Sequence, residues 1–357
     1  MARLIAAMSG GVDSAVAAAL ALRGGHEVVG VTMKQWEHPD EAARLTKGCC
    51  TLDAVADARR AADVLGIAHY TLDFRDDFAR EVVDPFVEAY ASGRTPNPCV
   101  LCNEKVRFGS LLARTTALGF DGVVTGHYAR VAGHDGTYRL HRACASERDQ
   151  SYVLYALGQD ALRRVRFPLG EVSSKDEVRA LARELGLPNA GREDSVEVCF
   201  VPEGTTPGDL VGERRPDAVR PGEILDADGA VVGTHRGLAR YTVGQRRGLR
   251  VAVGEPRYVV AMDPERNALV VDGPDRLYAA GLEAERPRFT VSPPPDGAEL
   301  EAVVRYRGEP VRAVFTSTAA GFGLTFERPV RAVAPGQSVV LYSGDEVVGG
   351  GVIARAR

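Results

Sequence analysis

Short apolar runs alternate with longer stretches of helical period through the first half of the chain. Residues 4–8 (LIAAM) read as a buried strand, and 12–23 (VDSAVAAALALR) as a helix stopped by Gly24 and Gly25. A strand at 28–33, a helix at 53–66 and a strand at 67–74 follow. Helices at 76–91 and 103–118 precede a strand at 121–125 (DGVVT). These strands are too continuously apolar for a sheet with one wet face, so the pattern predicts a mostly parallel α/β domain. Ligands of such domains sit at the carboxyl ends of the strands. Helical character continues through 152–165 and 175–186, with Ser174 and Glu177 at capping-box spacing.

The texture changes after Cys199. Residues 202–223 are rich in Pro, Gly and charge, and no long helical period returns. Short strands follow at 228–232, 257–262, 268–271, 300–306, 311–316, 322–327, 338–343 and 346–353, separated by turns. Boundaries near 203 and 283 divide the chain into an α/β domain (1–203), a small mainly-β central domain (204–282) and a C-terminal β-barrel (283–357).

Composition narrows this further. A chain of 357 residues suits two or three domains, and 45% hydrophobic with 26% charged residues excludes disorder, collagen and coiled coil. No apolar run of about 18 residues is present and no secretory signal is evident, which points to a cytoplasmic chain without a membrane span. The net charge of −4 argues weakly against nucleic acid, but phosphate binding needs only a local basic patch. Without a secretory signal, Cys49, Cys50, Cys99, Cys102, Cys144 and Cys199 read as thiols, metal ligands or redox pairs.

Ser9-Gly10-Gly11-Val12-Asp13-Ser14 lies between the first strand and the first helix. Two glycines permit a tight turn, and the helix start adds unpaired N–H groups and a positive dipole end. Ser9 and Ser14 can donate to phosphate oxygens; Asp13 suits Mg²⁺ between itself and a phosphate. An ordinary helix start after a glycine turn is the bland alternative. The segment is neither the dinucleotide fingerprint nor a Walker A loop. It resembles the pyrophosphate loop (PP-loop) of the ATP pyrophosphatases. Met33 can wall an adenine or belong to the core. Gly126 permits close backbone approach, and His127 is placed by position on the ligand crevice.

Thr95-Pro96-Asn97-Pro98-Cys99-Val100-Leu101-Cys102-Asn103 is a stiff loop before a helix. A thiol at a helix start has its thiolate stabilised, which favours Cys102, with Lys105 and Arg107 adding positive potential. Three readings compete: half of a zinc site with Cys49 and Cys50, a Cys99–Cys102 redox pair, or a nucleophile working with Cys199 as sulfur carrier.

The third reading meets a resemblance. AMSGGVDSAVAAALAL, GVTMKQW, GRTPNPCVLCNEKVRFG, VTGHYAR, DQSYVLYAL, FPLGEVSSKDEVRALARELGLP, DSVEVCF, RYTVGQRRGL and APGQSVVLYSGDEVVGGGVI are similar, in order, to segments of the tRNA-specific 2-thiouridylase family. The resemblance implies ATP-dependent adenylation of the C2 oxygen of wobble uridine 34 in the tRNAs for Lys, Glu and Gln, then displacement of AMP by sulfur. Cys199 matches the persulfide carrier, Cys102 the nucleophile and Asp13 the PP-loop aspartate; Ala7, Met8, Ser9, Gly10, Gly11, Val12, Ser14, Met33 and Gly126 form the nucleotide site, with ATP and Mg²⁺ implied. Asn97, Pro98 and Cys99 match the segment that holds the target base. His127, Arg148, Asp149, Gln150, Arg305, Tyr306 and Gln337 match tRNA-contacting positions, and no resident metal ligand is implied. Arg240, Arg246, Arg247 and Arg250 form a candidate phosphate-contacting run, with an ordinary solvated surface as its alternative. The implied partners are the tRNA anticodon arm, a cysteine desulfurase or sulfur relay, and a reductant for a Cys102–Cys199 disulfide; a monomer is the default. Departures from the family pattern are Arg148 and Arg107 in place of Lys, and Val196, Glu197 and Val198 before Cys199. A different PP-loop adenylating enzyme and a non-catalytic RNA-binding module are the rival classes.

Overall fold

The computed structural model describes residues 1–37, 51–192, 198–202, 204–251 and 254–357. Cys49, Cys50, Val196 and Glu197 lie outside the described residues.

The N-terminal sheet has five parallel strands in the order β3-β2-β1-β4-β7. They are β1 (Arg3–Ala7), β2 (Glu27–Lys34), β3 (His69–Asp73), β4 (Gly122–Val124) and β7 (Val165–Arg166). Helix α1 (Val12–Arg23) is almost entirely buried because alanines at 15 and 17–19 let it pack closely on every side. One side meets Leu4 and Val124 of the sheet, and another meets Val178 and Ala182. Helix α2 (Leu52–Leu65) packs Ala54, Ala58, Ala61 and Ala62. A continuous helical run, α3, joins Arg75–Phe78, Ala79–Val83 and Asp84–Ala91. Another, α4, joins Pro98–Leu101, Cys102–Ser110 and Leu111–Ala117, its middle part widened into π-type turns. Helix α5 spans Lys175–Glu184 with Ser174 as its N-cap.

Three departures from the sequence pattern have local causes. The expected helix at 152–165 is a 3₁₀ turn at Ser151–Leu154 and a short helix at Gln159–Arg164, separated by Gly158. Tertiary burial of Tyr152, Val153, Leu154 and Tyr155 replaces helical hydrogen bonding there. Within 202–223, a capping box of Thr206 and Asp209 with Pro207 at the first position starts helix α6 (Pro207–Arg214). Residues 130–141, left unread by the pattern, form the hairpin β5 (Arg130–His134) and β6 (Thr137–His141).

The central domain is a four-stranded sheet, β10-β11-β8-β9, made from β8 (Gly222–Leu225), β9 (Val231–His235), β10 (Tyr258–Asp263) and β11 (Ala268–Asp272). It docks through α6. Leu210 and Val211 enter the core beside Phe86, and Arg214 and Arg215 pair with Asp84 and Glu88 at 2.9 and 2.6 Å.

The C-terminal domain is a closed six-stranded antiparallel barrel. Its strands β12 (Tyr278–Phe289), β13 (Glu299–Val303), β14 (Val311–Thr318), β15 (Gly321–Arg331), β16 (Ser338–Ser343) and β17 (Glu346–Ala356) close through β12–β17 pairing. Position 283 falls inside β12. Strand β17 also pairs with β6, Glu346 opposite His141 and Val347 opposite Leu140. The hairpin therefore ties the first domain to the barrel, and one apolar cluster contains Leu140, Tyr152, Val340, Tyr342 and Val347.

Leu140→Ala removes a fully buried side chain at this junction. It is expected to cost about 2–5 kcal/mol and to lower the thermal transition of the whole chain by several degrees, as read by calorimetry.

Candidate functional site

The turn after β1 is set by sterics. Gly10 has φ +78°, and a Cβ there would lie 2.3 Å from the Ala54 carbonyl oxygen at the start of α2. Gly126, after β4, approaches the other side: a Cβ would meet the Asp13 carbonyl carbon and the Ser14 nitrogen at 2.7 Å. The Ser14 hydroxyl donates to the Gly11 carbonyl at 2.9 Å and accepts from the Ser9 N–H at 3.1 Å. Gly11 caps α1 without a side chain, so no side-chain acceptor fills the helix start. Those N–H groups, with the Ser9 hydroxyl, suit an anion. Ala7, Met8 and Val12 frame the turn from the core, with the Met8 N–H donating to Val31 at 2.8 Å.

Asp13 is held by two groups the sequence reading missed. The Lys175 ammonium donates to its two carboxylate oxygens at 2.8 and 2.7 Å, and the Tyr128 hydroxyl donates to one of them at 2.8 Å. Lys175 is only 5% exposed in its side chain. It occupies the first position of α5, where a cation opposes the helix dipole. That mismatch was the available signal: a lysine there calls for a carboxylate partner. Asn189 donates to the Gly10 carbonyl at 3.0 Å, while its own Oδ1 is buried without a partner among the described residues. Arg192 reaches the same carbonyl at 3.4 Å and pairs with Asp57.

The cysteine loop differs in detail from its sequence reading. The Asn97 side chain accepts from the Cys99 N–H at 3.0 Å and Pro98 takes the first helical position, so α4 starts before Cys99. Cys102 thus lies one turn inside the helix, with its N–H bonded back to Pro98 and Cys99 carbonyls. The charges expected to aid it are engaged: Lys105 pairs with Glu104 at 3.1 Å, and Arg107 lies 3.4 Å from His127. Gln35, at the carboxyl end of β2, donates to the Cys102 sulfur at 3.4 Å. Cys99 is exposed and Cys102 buried.

Cys199 is half-buried and packs on the apolar cluster that contains Cys102 and Met33. Phe200 fixes it there. Its ring is buried edge-on against Phe86 at 5.1 Å, Phe78 at 5.6 Å and Trp36 at 6.2 Å. Two buried polar atoms of this segment, Thr95 Oγ1 and Asn103 Oδ1, have no hydrogen-bond partner among the described residues.

The residues matched to tRNA contacts divide into inner and outer groups. Asp149 accepts from the Ala143 and Ser151 N–H groups and the Ser151 hydroxyl, and Gln150 accepts from the Tyr128 N–H at 3.0 Å. Gln337 donates to the Thr95 carbonyl, and the Thr95 N–H donates to Pro335 at 3.1 Å. The barrel thereby grips the cysteine loop, reinforced by Arg94–Glu285 at 2.6 Å and Arg288–Glu104 at 3.3 Å. Tyr306 lies against Tyr152, and Arg148 is half-buried. Arg305, Arg246, Arg247 and Arg250 are exposed and enter no ion pair among the described residues. Arg240 leaves the expected basic run, because it pairs with Asp209 at 2.5 Å.

Three family models match the chain in sequence: a tRNA methyl transferase HUP domain at 2–203, a tRNA methyl transferase PRC-barrel domain at 209–272 and an aminomethyltransferase beta-barrel domain at 279–353. The tRNA-specific 2-thiouridylase MnmA of Chloroflexus aurantiacus is 49% identical over 99% of both chains. Its namesake from Cutibacterium acnes is 47% identical over 98% of this chain and 96% of that one. The chain belongs to the tRNA-specific 2-thiouridylase family. The tRNA-specific 2-thiouridylase MnmA of Roseiflexus sp. is 46% identical over 99% of this chain and the full length of its own.

In this thiouridylase His127 does not face an open crevice. It is buried between Phe108 and Phe167, and its Nδ1 lies 2.7 Å from the Thr125 hydroxyl. Burial, with the Arg107 charge second, lowers its pKa to about 3. The folded protein therefore holds His127 neutral, while the unfolded chain protonates it near 6.5. Stability from this group is complete above that value and falls as pH drops toward about 3, by up to about 1.4 kcal/mol per unit. His127→Gln is expected to flatten the pH dependence of thermal unfolding across this window, measured against the wild-type slope.

Proposed function

We propose that this enzyme makes 2-thiouridine at the wobble position of tRNA, activating the uracil C2 oxygen with ATP and replacing it with sulfur carried on Cys199. The observation that carries this reading is that Cys102 and Cys199, distant in sequence, meet in one apolar cluster.

The phosphate turn fits a nucleotide by its chemistry. The uncapped start of α1, the Ser9 hydroxyl and the buried Lys175 would hold the phosphates, and Asp13 would hold Mg²⁺. ATP supplies the adenylyl group that makes the C2 oxygen a leaving group. The uridine leaves its stack to reach the site, with Asn97, Pro98 and Cys99 as its binding segment. Exposed Arg246, Arg247, Arg250 and Arg305 suit the tRNA backbone despite the net negative charge.

Two sulfur routes use the same pair. In one, the terminal persulfide sulfur of Cys199 bonds to C2 as AMP leaves, and the Cys102 thiolate then attacks the Cys199 sulfur, freeing the thiocarbonyl. In the other, Cys102 attacks first and releases hydrosulfide, which displaces AMP. Both leave a Cys102–Cys199 disulfide, which a dithiol reductant returns to two thiols. A cysteine desulfurase or relay protein reloads Cys199. The enzyme acts as a cytoplasmic monomer in this reading. Among the described residues no helix is long and apolar enough to cross a membrane, and no group of three His, Cys, Asp or Glu is arranged for a metal.

Cys199→Ser is expected to abolish 2-thiouridine while sparing ATP-dependent pyrophosphate release, tested with unmodified tRNA and nucleoside mass analysis. Undiminished thiolation by that variant overturns the assignment. Lys175→Met is expected to lower pyrophosphate release by about 10²-fold, because a buried cation facing the phosphate turn is lost. A wild-type rate of release would limit Lys175 to a structural role.

A further inference from the structure

The Cys102 sulfur sits in a largely apolar cluster. Only 8% of the residue is exposed, within a cluster that includes Val31, Met33, Phe78 and Val106. Apolar burial favours the protonated thiol. The start of α4 lies a turn earlier, and the Cys102 N–H is already bonded. Among the described charged groups on the surrounding elements, Lys34 pairs with Glu37, Lys105 and Arg288 share Glu104, Arg214 pairs with Asp84, and Arg107 lies 3.4 Å from the neutral His127. Among the described residues the other ionisable sulfur in the cluster is Cys199.

We propose that Gln35 is a catalytic residue for sulfur transfer, its side-chain amide N–H stabilising the Cys102 thiolate. This rests on reading Cys102 as the nucleophile. Gln35 is 2% exposed and directs Nε2 to Cys102 Sγ at 3.4 Å. Its backbone is anchored just beyond β2, where the Lys34 carbonyl accepts from the Phe74 N–H at 2.8 Å. A hydrogen bond to an ionised acceptor strengthens in a low-dielectric cluster. On ionisation the S–H proton passes to solvent water, the electron pair stays on sulfur and the amide keeps its own proton. A neutral donor also suits the chemistry better than a cation. Nucleophilicity falls as thiol pKa falls, so the most effective attacking thiol ionises near ambient pH. A lysine or arginine at this contact would overstabilise the anion, and an apolar side chain would remove the amide donor.

The test follows iodoacetamide alkylation of the Cys102 peptide against pH by mass spectrometry, on the reduced full-length chain without ATP or tRNA. Gln35→Leu is expected to displace the profile to higher pH and slow alkylation at pH 7 about three- to tenfold. Gln35→Glu, which keeps the shape but replaces the donor with a carboxylate, is expected to displace it further. This second variant carries the test if the leucine variant does not fold. Single-turnover thiolation by either variant is expected to recover as pH rises. A profile identical to wild type, or one displaced to lower pH because the amide oxygen accepts from the thiol, would overturn the proposal. Failure of the parent reading looks different: thiolation retained by Cys102→Ser removes Cys102 as nucleophile and leaves the alkylation result untouched.

Discussion

The burial of Phe200 is the constraint on which the sulfur site depends. The residue before it, Cys199, belongs to the described segment 198–202, which forms turns and bends. Packing the Phe200 ring edge-on among Trp36, Phe78 and Phe86 positions that thiol to within one residue. Each such ring pair contributes about 0.5–1.5 kcal/mol beyond the area it buries. The same cluster receives Cys102 from α4 and Leu210, Val211 and Ala239 from the central domain. Docking of the second domain and approach of the two cysteine segments are therefore one packing event.

The turn after β1 is built by different physics. Backbone contact at Gly10 and Gly126 leaves no room for a Cβ, so shape is set by exclusion. Charge is set by Lys175 and Asp13, a largely buried pair. A buried ion pair is a weak source of stability because desolvation opposes its attraction. Its value here is a carboxylate and an ammonium held in fixed positions beside the start of α1. Both sites use neighbouring strands: β1 leads into the phosphate turn, and β2 leads to Gln35 and the Cys102 sulfur. The phosphate turn and the Gln35–Cys102 contact thus follow adjacent parallel strands.

The barrel takes part in this arrangement. Strand β17 continues into the β5–β6 hairpin, and Tyr152 donates from the first domain to the Ser338 carbonyl at 2.7 Å. Contacts from Gln337, Pro335, Glu285 and Arg288 hold the segment from Arg94 to Glu104. A distant β domain therefore positions the loop that begins α4, in addition to any surface it offers to RNA.

Much of this was legible in the sequence, for identifiable reasons. Apolar periodicity set β1, β2 and β4 and their helices, because burial on both faces leaves an almost continuous apolar signature, whereas β3 is a half-exposed edge strand. Local chemistry marked the Ser9–Ser14 turn, the Ser174 cap and the two cysteine segments. The β5–β6 hairpin escaped because its residues are largely polar and gain strand structure by pairing with a barrel formed two hundred residues later. Lys175, Tyr128, Gln35 and Phe200 escaped because each acts on a partner far away in sequence. His127, Asp149, Gln150 and Gln337 have internal partners that no spacing rule identifies. By itself the sequence determined which groups are present and which segments fold locally. Only tertiary packing decided which of those groups touch, because hydrogen bonds and ion pairs act over a few ångströms in space, whatever their separation along the chain.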